Sequence, residues 1–119
     1  MDGMRFVVGF HGHGVLAANL VAHFKMPCDA TLVQVDVVGT TAAVGKLDIG
    51  TDADSDGYLD DVTPGASNVP ATFDRGDFNG ALNPDTAECP HILKGTVLIV
   101  TVTHNSIINP DVSLTFLEG

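Results

Sequence analysis

Thr31-Leu32-Val33-Gln34-Val35-Asp36-Val37-Val38 decides how this chain is read. From Val33 to Val37 the odd positions are aliphatic, with the polar Gln34 and Asp36 between them. Successive side chains of a strand point to opposite faces, so this alternation buries one face and wets the other. Gly39-Thr40-Thr41 ends the run. Working outward, Lys46-Leu47-Asp48-Ile49 alternates again before Gly50-Thr51, and Val112-Ser113-Leu114-Thr115-Phe116 does so near the C-terminus. The run Thr96-Val97-Leu98-Ile99-Val100-Thr101-Val102-Thr103 follows Gly95 and carries apolar residues on both faces. That pattern predicts a central strand.

Shorter strands are expected at residues 5–10, 57–62 and 71–73. Residues 15–25 fit two periods. Leu16, Leu20, His23 and Phe24 stand at helical spacing, while Leu16, Ala18, Leu20, Ala22 and Phe24 alternate. A strand is the better reading, because a lone amphipathic helix sits awkwardly among so many short strands. Together these runs predict about eight strands separated by Gly, Pro, Asn and Asp clusters. No strand-helix-strand alternation occurs, so the expected fold is all-β, an antiparallel β-sandwich. Residues 63–90 form one long irregular loop with Pro64, Pro70, Pro84 and Pro90, and such loops tend to make contacts. Residues 15–119 read as a single domain. Residues 1–14, with Gly9-Phe10-His11-Gly12-His13-Gly14, read either as an arm that orders on docking or as a first strand.

Composition bounds the function. The chain has 119 residues, 45% of them hydrophobic and 17% charged, which is too apolar for intrinsic disorder. Fifteen acidic residues face five basic ones, a formal charge of −10, so no basic footprint for nucleic acid or anionic lipid exists. The longest aliphatic stretch, Val97 to Val100, is far too short for a membrane span. No signal core follows Met1-Asp2-Gly3, and a soluble, cytoplasmically made chain is expected. In that compartment Cys28 and Cys89 are expected as two thiols rather than one disulfide.

The sharpest motif is Asp52-Ala53-Asp54-Ser55-Asp56-Gly57-Tyr58-Leu59-Asp60-Asp61. Carboxylates at alternate positions followed by glycine match the first half of an EF-hand-type calcium loop. In that reading Asp52, Asp54 and Asp56 donate side chains, Tyr58 its carbonyl, and Asp60 a direct or water-bridged contact. The twelfth position is Thr63, where a bidentate glutamate belongs, and no helix flanks the loop. The simpler explanation is an acidic hairpin tip, since Asp and Gly favour turns.

Other constellations are weaker. His11 and His13 are two imidazoles where zinc needs three or four converging ligands. Cys89-Pro90-His91 places a thiol near an imidazole in sequence only, with no orienting third group. Ser55, Ser67, Ser106 and Ser113 occupy no Gly-x-Ser-x-Gly elbow, and no phosphate-cradling glycine loop occurs. The carboxylates crowd one loop rather than flanking a cleft. No catalytic residue is assigned, and no enzyme is expected. Arg75-Gly76-Asp77, a tripeptide that some adhesion receptors read, is explained by a bend in the long loop. One Tyr and no Trp leave no aromatic platform for sugar stacking.

Several stretches read together resemble a known family. His23-Phe24-Lys25-Met26-Pro27-Cys28-Asp29-Ala30-Thr31-Leu32-Val33 is similar to a Phe-Lys-x-Pro, small-residue, Thr-Leu-Val lead-in to a strand. Leu93-Lys94-Gly95-Thr96-Val97-Leu98-Ile99-Val100-Thr101-Val102 is similar to a Lys-Gly-x strand of alternating aliphatics. With Leu47-Asp48-Ile49-Gly50-Thr51 and Leu114-Thr115-Phe116-Leu117-Glu118-Gly119, these resemble the small jelly-roll virion proteins of tailed bacteriophages. The resemblance implies a jelly-roll-like sandwich acting as a capsid decoration (cement) protein on the outer head surface. The implied partners are the major capsid protein and further copies of the chain, as a trimer by analogy. It carries over no binding residue. A calcium-dependent binding or adhesion module with Ca2+ in the Asp52–Asp61 loop is the rival reading, and a phage tail or fibre component is a third.

Overall fold

The computed structural model describes residues 4–12, 19–39, 46–64, 69–79, 88–103 and 108–119. These form nine strands: β1 (Arg5–His11), β2 (Leu20–Lys25), β3 (Ala30–Val38), β4 (Leu47–Gly50), β5 (Leu59–Val62), β6 (Ala71–Phe73), β7 (His91–Ile92), β8 (Val97–Val102) and β9 (Asp111–Glu118). No helix among the described residues is long and apolar enough to cross a membrane.

Two antiparallel sheets result. One runs β1-β9-β3-β6, with β7 also pairing to β3, and the other runs β2-β8-β4-β5. Strands β1 to β4 alternate between the sheets. The chain then retraces its path, pairing β5 with β4, β6 with β3, β8 with β2 and β9 with β1. This is a long hairpin rolled over itself, the strand order of a jelly-roll-like sandwich. The expected all-β antiparallel sandwich is what forms, and the ninth strand is the two-residue β7.

The alternation read from the sequence fills the space between the sheets. Val112, Leu114 and Phe116 of β9, Leu98, Val100 and Val102 of β8, and Leu47 and Ile49 of β4 are all buried. Phe116 is fully buried and stacks on Phe6 of β1 at 5.0 Å between centroids. Phe24, from β2 in the other sheet, reaches the same ring at 6.2 Å. One aromatic cluster therefore ties the two sheets together through edge strands β1 and β2.

Two details depart from the sequence reading, and a third decides between its alternatives. In β3 the register shifts between Leu32 and Gln34. Burial moves there from the even positions Ala30 and Leu32 to the odd positions Val35 and Val37, which leaves Val33 only half-buried. Of the two readings of the N-terminal stretch, residues 5–11 take the first-strand one: every residue from Arg5 to His11 is paired with β9, and Phe6, Val8 and Phe10 pack on the core. Central β8 is buried on one face only, because Val97 is 41% exposed. Of residues 15–25, the part from Leu20 is strand, and 13–18 lie outside the described residues.

Both cysteines are free thiols. Register explains this. Ala30 pairs with Ile92 and Thr31 with His91, and Leu32 N–H donates to the Pro90 carbonyl. Cys89 therefore falls beside Val33, to whose carbonyl its thiol points at 3.9 Å. Cys28 lies beyond the start of β3 at Ala30, which is itself roughly 10 Å from Val33 at a strand's rise. Disulfide geometry tolerates about 7 Å between Cα atoms.

Candidate functional site

The loop joining β4 to β5 holds the acidic motif, and Asp54 organises it. Its main-chain carbonyl accepts from Thr51 N–H at 2.9 Å and from Gly57 N–H at 3.1 Å, while its own N–H donates to Thr51 at 3.1 Å. Tyr58 N–H then returns to the Ile49 carbonyl at 2.9 Å, which closes the hairpin and delays β5 until Leu59. Gly50 makes this fold possible, because a Cβ there would come within 2.1 Å of the Asp54 carbonyl oxygen.

The structure draws together Asp48, Asp56 and Asp60, with one carboxylate oxygen from each lying within 4.8 Å of the others. Calcium holds its oxygens at about 2.3–2.6 Å, so oxygens at such spacing suit a hard cation between them. Of the residues expected from the motif, Asp56 and Asp60 belong to this group and Asp52 and Asp54 do not. The Tyr58 carbonyl accepts from Asn79 N–H at 2.8 Å, and Asn79 Nδ2 donates to the Asp56 carbonyl at 3.1 Å. Asn79 thereby braces the hairpin from the long loop, with the Tyr58 side chain buried beneath.

Asp48 was not in the expected set. It projects outward from β4, as the Lys46-Leu47-Asp48-Ile49 alternation implies, and only pairing of β4 with β5 carries it to Asp60. Its Oδ1 accepts from Asp61 N–H at 2.7 Å, where Asp61 takes a left-handed φ of 50°. Burial pushes the Asp48 carboxyl above the ordinary aspartate range; the Asp61 hydrogen bond works against this, and the charges of Asp61, Asp60 and Asp56 add to it. Asp54 is also raised, mainly by its side-chain hydrogen bond with Asp56, and then by burial and the Asp56 charge. The hairpin carries carboxylate repulsion that a cation or protons would relieve.

The remaining motifs are placed elsewhere. His11 Nδ1 meets Asp111 Oδ1 at 2.6 Å on the outer face of the β1/β9 pair, and His91 Nε2 meets the Gly119 carbonyl at 2.9 Å. His13 and His104 lie outside the described residues. Cys89 and His91 face different partners and form no thiol–imidazole pair. Arg75-Gly76-Asp77 sits in a tight bend: Asp77 N–H donates to the Asp74 carbonyl at 2.9 Å, Asp74 N–H donates to Asp77 Oδ2 at 2.9 Å, and Gly76 takes a φ of 96°. Arg75 pairs with Glu88. Both charged heads of the tripeptide are engaged within the chain.

No family model and no curated protein matches this chain. Among solved structures it is similar to a chain of the cyanophage Pam1 capsid asymmetric unit, at 15% identity and a TM-score of 0.58, covering 99% of this chain and 87% of that one. It is also similar to the Yersinia pseudotuberculosis-derived mitogen, at 11% identity and a TM-score of 0.42, covering 98% and 87%. At such identities what is shared with the capsid chain is the fold.

Proposed function

We propose that this chain is a structural virion protein, a decoration (cement) protein bound to the outer surface of a phage head, where it stabilises contacts between capsid subunits. The observation that carries the reading is the sandwich it shares, almost end to end, with a chain of a cyanophage capsid asymmetric unit. Strand phrases such as Phe24-Lys25-Met26-Pro27 and Lys94-Gly95-Thr96 support it through their resemblance to small jelly-roll virion proteins. The proposed mechanism is binding rather than catalysis, with the major capsid protein and further copies of the chain as partners and the virion as its place. A formal charge of −10 suits a solvated outer face and not a surface against packaged DNA. Sedimentation of a native lysate through a density gradient, with the chain followed by mass spectrometry, tests the proposal. Stoichiometric migration with virus-sized particles supports it, and imaging then separates head from tail or fibre. Retention at the top of the gradient overturns it.

The grouping of Asp48, Asp56 and Asp60 favours a second reading, a calcium-dependent binding or adhesion module. A cation held by the native state alone raises the melting temperature. Calcium should then stabilise the protein and EDTA reverse the effect, while the Asp48→Asn variant should respond to neither. A wild-type melting curve indifferent to both removes this reading.

A further inference from the structure

The four-stranded sheet is electrically and chemically lopsided. Its order, β2-β8-β4-β5, puts β2 at one edge and β5 at the other. Cross-strand pairs set Val21 beside Thr101, His23 beside Ile99 and Lys25 beside Val97 on the outer face of the β2–β8 half. Val21 is 48% exposed and Val97 is 41% exposed. No carboxylate occurs in residues 19–25 or 97–103, whereas residues 48–61 hold six of the fifteen in the chain. Three strand spacings, roughly 14 Å, separate the two edges. Screening at physiological salt acts over about 8 Å, so the acidic end cannot neutralise Lys25 within one copy. Among the described residues Lys25 has no ion-pair partner.

We propose that the outer face of the β2–β8 half, with Val21, Val97 and Ile99 flanked by His23 and Lys25, docks the acidic β4–β5 end of a second copy of this chain. An apolar centre with a charged rim is how specific interfaces are built, and opposite charge fixes their register. The occupant is another copy because the same chain carries, at its β4–β5 end, the carboxylates that Lys25 lacks among the described residues of its own copy. The contact runs through side chains rather than by extending the sheet. The β4–β5 ladder shifts register between Leu47 and Ile49, and Asp61 sits at a φ of 50°, so β5 is a poor template for a further strand. This inference rests on the self-association named in the proposed function and gives it a surface; a chain that stays monomeric at low salt fails it without touching migration with virus-sized particles.

Sedimentation equilibrium of the full chain at low and high salt tests it. The wild type should exceed monomer mass at low salt and approach it at high salt. Lys25→Glu and Asp60→Lys should each weaken self-association by about tenfold or more, because like charges then face each other. The Lys25→Glu/Asp60→Lys double variant should regain it. Circular dichroism confirms folding of each variant. Val21→Glu, which adds a charge to the apolar centre without touching the acidic end, should also give monomer and serves where Asp60→Lys does not fold. A wild type that is monomeric at low salt, or association unchanged in Lys25→Glu and Val21→Glu, overturns the proposal.

Discussion

The Asp54 main-chain carbonyl occupies the space where a side chain at Gly50 would begin, only 2.1 Å from an added Cβ, with the Ser55 carbonyl carbon at 2.5 Å. Both obstacles are backbone, so no rotamer change can relieve the clash. Gly50→Ala should push the loop off β4 and cost about 3 kcal/mol, as overpacking does. Thermal melts should show a lowered midpoint. If calcium binds the Asp48, Asp56 and Asp60 group, this variant should weaken that binding as well.

Asp48 gives the stability of this end a pH dependence of definite sign. Its carboxyl is raised in the folded state, mainly by burial, so the native protein takes up this proton more readily than the unfolded chain. The stabilising effect of protonation is complete below the ordinary aspartate value of about 3.9 and is lost as pH rises through the raised one. Asp54, raised mainly by its hydrogen bond with Asp56, acts in the same direction. Asp48→Asn keeps an acceptor for Asp61 N–H and deletes the charge. It should melt higher than the wild type at pH 7, with a smaller gain on mild acidification.

Phe116 joins Phe6 and Phe24 across the two sheets. Truncation to alanine leaves a cavity bounded by three strands and should cost about 4 kcal/mol. Deleting residues 1–14 removes Phe6 with the whole of β1 and uncovers β9. That variant should fail to give a cooperative melt, unlike the loss of a dispensable arm.

Burial, followed by the nearby Glu118, pushes the Cys28 thiol up, with Asp29 adding and Lys94 opposing. Burial likewise raises Cys89, with Glu88 and Asp74 adding and Arg75 opposing. Less thiolate means slower reaction with disulfide reagents. Native protein should react slowly at pH 8 and yield two thiols on denaturation without reductant. A recovered intramolecular disulfide would contradict the register that separates the two residues.

Strands whose own alternation faces a single core were legible in the sequence: β3, β4 and β9 emerge from period two, and β8 from its continuous apolar run. Residues 20–25 obeyed two periods, and the company of other strands decided between them correctly. What stayed hidden is what pairing creates. His91-Ile92 is too short to carry a pattern, and β7 exists because β3 offers it a neighbour. The shift at Val33 leaves no mark in composition. The acidic loop was visible as a cation motif, yet Asp48 joins Asp56 and Asp60 through the β4–β5 hairpin, whereas Asp52 and Asp54 stay outside that group and the Asp54 main chain holds the turn. The outward aliphatics of β8 read as the second face of a fully covered strand, and the structure leaves Val97 exposed.

The pairing of β1 with β9, Arg5 opposite Leu117, has a consequence for how the chain reaches its fold. β9 lies between β1 and β3, so the larger sheet stays divided until residues 111–118 are available. Contacts between strands so distant in sequence close slowly, because loop entropy is lost before packing repays it. During synthesis β1 and β3 each wait with an unpaired edge and an apolar face, the surfaces most prone to misassociate with a neighbouring nascent chain. Refolding yield should therefore fall steeply with protein concentration, even where the finished sandwich is stable.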